Sequence, residues 1–399
     1  MTARSATISF LSSASGDAVK KPAWIAVAGI GIFSAVFYLV TSFLLRRWLE
    51  GTASAHLSGG EIHKSTPTAQ RPPYSPVTFF RPIKKGEKAL RKNLAIFLSA
   101  VGPRDQVILC ASTPQELRLC EDLASGHPEL DIRCSLAVEG IHRNPKINKL
   151  AQMEPMATHK RWIVFDSDAI PDRGFLWTFR TEWQSKNSDA ISAPYAPARV
   201  RTMPARLDAL GTGLALWPGV ALLRSTGHLD FLTGACMGVK APTLQRIGGW
   251  KILGGALAED HELGLLINEA GGKVDISRAV LALESPDLTW KEWILHQHRA
   301  FVTFRLCNPA GSLGIPLTHG AGLSFLFALL NPLSLGRWLL HLGLMFLRVE
   351  SANSLPGPSN KLREIWLVSL LEPLFWLLSW LPLPVWWGGR WLRSRKLES

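Results

Sequence analysis

At 399 residues the chain is long enough for one domain of about 230 residues together with anchoring segments. Its 44 Lys and Arg against 31 Asp and Glu leave a formal charge of +13, which suits anionic partners: nucleic acid, lipid headgroups or nucleotide diphosphates. The basic residues are scattered without a recognised binding motif, which argues against nucleic acid, and the five cysteines form no CxxC pair, which argues against structural zinc.

Residues 1–21 are an N-terminal tail, and residues 22–45, PAWIAVAGIGIFSAVFYLVTSFLL, carry no charge between Lys21 and Arg46. As a helix this run rises about 36 Å, enough to cross the hydrocarbon of a bilayer. A cleaved signal is the competing reading, but Arg46, Arg47 and Trp48 follow where small residues would be needed. Residues 46–75 lack an apolar period and end in RPPYSP, the composition of a linker.

A folded domain is expected over 76–312. VTFFRPI, DQVILCAS, DIRCSLAV, KRWIVFDSD and SDAISAPYA are short β-branched or aromatic runs, separated by stretches with helical spacing such as TPQELRLCEDLASGHP. Strands alternating with helices predict a mostly parallel, doubly wound α/β sheet, in which ligands sit beyond the carboxyl ends of the strands. Cys110, Cys120, Cys134, Cys236 and Cys307 read as reduced, mostly buried residues of a domain facing the cytoplasm.

Beyond residue 312 the composition turns apolar. Residues 313–347 are broken only by Arg337 and read as two short or re-entrant membrane helices; residues 365–387, a further apolar run containing Glu372, read as a C-terminal membrane helix. A carboxylate there is costly in lipid and is expected to face protein or water. A soluble helical bundle is the competing reading, but of the 16 tryptophans nine stand from residue 290 onward, a residue common at membrane surfaces. The tail, 388–399, sets four basic residues beside Trp391 and fits an anionic leaflet.

Three segments carry residues able to do chemistry. FDSDAIPD puts Asp166 and Asp168 directly after an apolar strand, and period-two geometry turns both carboxylates to one side. Two such acids can hold a hard divalent cation, which in turn binds a diphosphate. ALAEDHELGLLINEAGGK reads as a helix opening on Glu259, Asp260 and Glu262. These acids complement the helix dipole, and Asp260 is also a candidate base for the proton of an attacking hydroxyl. In WILHQHRAFVTFR the residues His296, Gln297, His298, Arg299 and Arg305 precede the apolar region, where cations can neutralise a departing diphosphate or contact headgroups. Metal binding by His296 and His298 is disfavoured, because i and i+2 diverge on a helix.

HRNPKINKL (142–150), FDSDAIP, DFLTGACMGVKAPTLQRIGGW, LAEDHELG and HQHRAFVTFRLCNPAGSLGIPLTHG together, in this order, resemble the ceramide glucosyltransferase family, glycosyltransferase family 21, including its bacterial hopanoid-associated branch. The resemblance implies a nucleotide-diphosphosugar transferase domain of the GT-A type. It implies a UDP-sugar donor on the cytosolic face, a membrane lipid acceptor, Mg²⁺ or Mn²⁺ as cofactor, and a place in the bilayer, with a bacterial inner membrane favoured. In that reading Asp166 and Asp168 are the metal-binding acids and Asp260 is the catalytic base, with Arg299 beside the leaving group. Lys146 and Asn148 lie near the donor, while Thr233, Gly234 and Ala235, with His296 and Gln297, line the acceptor side. The chain departs from the family pattern at two places. Ser112 and Thr113 stand where an acid usually grips the nucleotide, and the family's (Q/R)xxRW signature keeps Arg299 while His296 and Ala300 replace its first residue and its tryptophan.

The sequence therefore favours an inverting hexosyltransferase moving glucose or N-acetylglucosamine to a hydroxyl of a ceramide-like or hopanoid-like lipid. A non-catalytic, lipid- or partner-binding relative is one alternative. A processive polysaccharide synthase is another, although its Q-x-x-R-W motif and longer set of spans are not evident.

Overall fold

The computed structural model describes residues 3–50, 75–357, 360–387 and 390–392. The expected linker falls mostly on residues 51–74, and most of the basic tail on residues 388–389 and 393–399; both stretches lie outside the described residues.

The chain opens with helix α1 (Ala3–Leu49), followed by β1 (Thr78–Pro82), α2 (Leu90–Ala100), β2 (Gln106–Ala111), α3 (Pro114–Ser125), β3 (Asp131–Leu136), α4 (Pro145–Met153), β4 (Arg161–Phe165), β5 (Ala169–Ile170) and α5 (Arg173–Lys186). Then come β6 (Ala190–Ser192), β7 (Tyr195–Ala198), α6 (Met203–Thr226), β8 (Cys236–Lys240), α7 (Ala241–Arg246), α8 (Glu259–Glu269), β9 (Val274–Ile276) and β10 (Leu281–Glu284). The C-terminal part holds α9 (Trp290–Cys307), α10 (Pro309–Gly314), α11 (Gly320–Leu329), α12 (Leu335–Asn353), α13 (Leu362–Ser379) and the hairpin β11 (Val385–Trp387) and β12 (Arg390–Leu392).

Local chemistry explains the helix starts that matter for the site. Thr113 caps α3 in a reciprocal box with Glu116, ahead of Pro114. The Asn144 side chain accepts from the amides of Lys146 and Ile147 at the head of α4. Thr289 and Glu292 form a second box at the start of α9.

Seven strands form the main sheet in the order β3-β2-β1-β4-β8-β6-β9, with a smaller sheet β5-β10-β7. β1 pairs parallel with β2 and β4, and β2 with β3, so the predicted parallel sheet is present around β1. β8 runs antiparallel between β4 and β6. Period-two alternation divides the core between the two faces of this sheet. Phe79, Leu109, Ile163 and Phe165 pack with Phe97, Phe175 and Trp183 on one face. Phe80, Ile108, Trp162 and Val164 pack with Ile147, Leu150, Leu263 and Ile267 on the other. The carboxyl ends of β1, β2 and β4 open on the same edge, where Asp166 follows Phe165.

A separate apolar cluster joins α1, α6, α9, α11, α12 and α13 through Tyr38, Leu210, Trp293, Ala321, Leu344 and Val368. Trp24–Leu49 is the one helical stretch among the described residues long and apolar enough to cross a membrane alone. A second candidate is a broken pair, Pro309–Thr318 with Gly320–Leu329, bent by 50°. Glu372 on α13 is buried and meets Arg348 of α12 with its two oxygens at 2.6 and 2.5 Å, so this carboxylate faces protein. The run read as one helix over 365–387 divides instead. Its helix ends at Ser379, and Val385–Trp387 form a strand, with Pro382 and Pro384 between them unable to continue a helical ladder.

Candidate functional site

Lys146 is the hub of the edge beyond β4. Its Nζ lies 2.7 Å from Asp166 Oδ1 and 2.9 Å from Glu259 Oε1, and donates to the Gly234 carbonyl at 2.9 Å. Four separate segments thus converge on one ammonium: the loop after β4, the first turn of α4, the loop before β8 and the first turn of α8. Asn144 braces the arrangement, its Nδ2 donating to the Ala256 carbonyl and to Glu259 Oε2. Asp166 in turn donates its backbone N–H to the Ala235 carbonyl at 3.1 Å. Burial opposes the charge on Lys146, yet Asp166 and Glu259 outweigh it and raise its pKa. Burial likewise opposes ionisation of Glu259, but Lys146 dominates and holds that carboxyl below its ordinary value.

Asp260, next to Glu259, is in the opposite situation. Burial, with Glu259 adding to it against the pull of Lys146, pushes its carboxyl up to about 7. Its position is set by two glycines. A Cβ at Gly234 would stand 2.9 Å from Asp260 Oδ2, so the carboxylate lies directly on that glycine. A Cβ at Gly264 would stand 2.4 Å from Phe231 Cα, so α8 rests backbone to backbone on the segment leading to Thr233. The Thr233 hydroxyl is itself buried and donates to the Ala193 carbonyl.

Asp168 sits on the far side of the same loop. Burial, with Asp166 and Glu87 alongside, pushes its carboxyl up to about 7 against the pull of Arg81. Arg81 is fully buried and donates from Nη2 to the carbonyls of Ser167 and Ala169. Burial lowers its pKa to about 10, with Asp168, Asp166 and Glu87 opposing. Asp166 and Asp168 are two carboxylates crowded at one strand end, an environment that a hard divalent cation relieves. Among the described residues no cluster of three or more His, Cys, Asp or Glu forms a closed cage.

The residues of α9 form an adjoining group around Asp208 of α6. His296 Nδ1 lies 2.5 Å from Asp208 Oδ1, and Gln297 Nε2 donates to the same oxygen at 2.9 Å. Arg299 feels both Asp208 and Glu259; burial nonetheless lowers its pKa. Arg299 thus connects the two groups. His298, in contrast, is turned toward Leu378 of α13, so the two histidines diverge. Tyr195 is half-buried, and desolvation, with Asp260, Asp166, Asp168 and Asp208 adding to it, raises its pKa.

Three expected donor-side residues are engaged in holding loops. Ser112 Oγ donates to the Ile83 carbonyl, and the Thr113 hydroxyl caps α3. The acid near them is Glu116, one turn later, whose carboxylate accepts from the backbone N–H groups of Ser112, Thr113 and Gly86. Asn148 bridges the His142 amide and the Val138 carbonyl, supporting the loop ahead of α4. Sequence reasoning missed Asp208, Arg81, Glu87, Glu116 and Tyr195. The sole local signal for Asp208 was a lone acid in an otherwise apolar stretch, LDALGTGLALW.

A seven-stranded mixed sheet with an acid pair beyond its fourth strand, facing a second acid pair across one lysine, is the architecture of a GT-A type domain. The sequence model of Glycosyl transferase family 21 matches residues 29–398, and the chain belongs to that family; it is a glycosyltransferase. Among solved structures, a mannosyltransferase from Pyrobaculum calidifontis in complex with GDP-Man and Mn²⁺ is similar at TM-score 0.51 and 15% identity, over 89% of this chain and 96% of that one. S. aureus TarS 1–349 in complex with UDP-GlcNAc follows at TM-score 0.36 and 10% identity, over 70% of this chain and 82% of that one. No curated protein matches the sequence.

Proposed function

We propose that the chain is an inverting transferase that moves a hexose, glucose or N-acetylglucosamine, from a UDP-sugar to a hydroxyl of a membrane lipid of ceramide-like or hopanoid-like chemistry. The catalytic domain works on the cytosolic face, where nucleotide sugars are available, with a bacterial inner membrane as its setting. The observation that carries this reading is the half-buried Asp260 carboxylate, seated on Gly234 beside the Lys146–Asp166–Glu259 group. A carboxylate with a pKa near 7 is matched to general-base work at neutral pH.

In the reaction, Asp260 takes the proton of the acceptor hydroxyl as its oxygen bonds to the anomeric carbon. The bond from that carbon to the diphosphate oxygen breaks on the opposite face, and its electron pair leaves with UDP. Arg299 offsets the charge on the departing diphosphate, and Lys146 holds Asp166 and Glu259 in register. Asp166 and Asp168 would hold Mg²⁺ or Mn²⁺, which supplies charge neutralisation on the diphosphate. The GDP-Man and Mn²⁺ present in the mannosyltransferase of the same fold support a donor of this kind. Trp24–Leu49 and the family membership support a lipid acceptor met at the bilayer surface.

The test is incubation of membranes containing the full chain with labelled UDP-sugars, followed by mass analysis of extracted lipids. A single labelled glycolipid, absent with Asp260→Asn, is the expected result; label in a polymer or in no lipid at all would refute it.

A further inference from the structure

Well away from the catalytic edge, a cavity of about 540 Å³ opens where the end of α1 meets α5 and the C-terminal half of α6. It is lined by Arg47, Lys186, Arg224 and Arg278 against Glu50 and Glu182. Two of these cations are already committed: Lys186 pairs with Asp275 at 2.9 Å, and Arg278 with Glu182 at 2.8 Å. Arg47 and Arg224 have no carboxylate partner among the described residues, Arg224 being stacked over the buried Trp48 ring at 5.5 Å. The lining therefore carries an excess of positive charge whose complement is an anion.

The cavity also has an apolar approach. On α1 the side chains of Ile25, Ile32, Val36, Leu39 and Phe43 are all more than half exposed, at spacings of three, four and seven residues, so they form one stripe along the helix. Arg47 stands four residues after Phe43, at the end of that same stripe. An apolar stripe on the helix long enough to cross a bilayer, ending in a cationic cavity, matches a molecule with acyl chains and an anionic head. Arg224 lies sixteen residues along α6 from Asp208, about 24 Å on helical rise. The cavity is thus separate from the acceptor side.

We infer that this cavity binds the phosphate-bearing headgroup of an anionic phospholipid, whose acyl chains lie along the exposed stripe of α1. The bound lipid ties α1 to α6 at the membrane surface, and it does so whatever the sugar donor.

The full chain is placed in nanodiscs of phosphatidylcholine with phosphatidylglycerol, and retained lipids are weighed by native mass spectrometry after release. The wild type is expected to keep phosphatidylglycerol in preference to phosphatidylcholine. Arg47→Gln with Arg224→Gln weakens that retention roughly tenfold to thirtyfold, while Arg47→Lys with Arg224→Lys restores most of it. Thermal melting and UDP-sugar turnover of the Lys pair serve as the check on folding. Equal retention by the Gln pair overturns the inference, as does equal retention of both lipids by the wild type. Inorganic phosphate alone, raising the melting temperature in detergent as much as phosphatidylglycerol does, assigns the cavity to a soluble anion and overturns the lipid assignment.

Discussion

Replacing Asp260 by Asn removes a proton acceptor while keeping shape, and the structure dictates opposite effects on rate and stability. In the folded chain the carboxyl titrates near 7, against an ordinary value of 3.8, because burial and Glu259 disfavour its charge more than Lys146 favours it. A raised carboxyl pKa means that the folded state binds the proton more tightly than the unfolded one. The associated stability is present at pH below about 4 and is lost as pH rises through 7. A difference of about three units corresponds to at most about 4 kcal/mol at pH 8, which the permanently neutral Asn does not lose. The variant is therefore expected to melt at a higher temperature than wild type at pH 8, with the difference shrinking toward pH 5. Catalysis moves the other way. Wild-type turnover falls about tenfold per pH unit below 7 as the base is protonated, and the Asn variant loses a factor of about 10² to 10⁴ together with that acid limb. The assay pairs calorimetry from pH 5 to 8 with initial rates of UDP release over the same range. An Asn variant that keeps the acid limb and most of its rate would refute the assignment of the base. One with unchanged melting at every pH would refute the account of the buried charge.

Gly264→Ala improves helix propensity by about 1 kcal/mol, yet its Cβ would meet Phe231 Cα at 2.4 Å, so we expect a net loss of roughly 1–3 kcal/mol on melting and displacement of Asp260. Asp208→Asn leaves His296, Gln297 and Arg299 without their shared carboxylate; the expected result is a drop in kcat/KM of about tenfold or more with UDP-sugar binding nearly unchanged, measured by steady-state kinetics and titration calorimetry. Arg348→Met strands the Glu372 carboxylate between α12 and α13 and should cost about 3–5 kcal/mol, while Arg348→Met combined with Glu372→Leu recovers most of it in a thermal melt.

Much of the site was legible from one dimension because its chemistry is local. Asp166 and Asp168 follow an unbroken apolar strand, and Asp260 opens a helix whose start and stop are marked in the residues around it. What could not be read were contacts whose partners are far apart in the chain. Asp208 looked like a solitary acid because His296 and Gln297 stand 88 and 89 positions away. Ser112 and Thr113 looked like replacements for a missing acid, whereas the carboxylate of Glu116 folds back onto their amides.

By itself the sequence determined the alternation of strands and helices around β1, the apolar length of α1 and the acids that cap their own segments. Each of these depends on residues within a few positions of one another. Tertiary structure alone decided which charges meet. Lys146 gathers Asp166 and Glu259 from segments 20 and 113 residues away, and that convergence separates two neighbouring acids into one held ionised and one poised near neutrality. Charge balance at a buried point depends on distance and burial, and neither is written in the order of the residues.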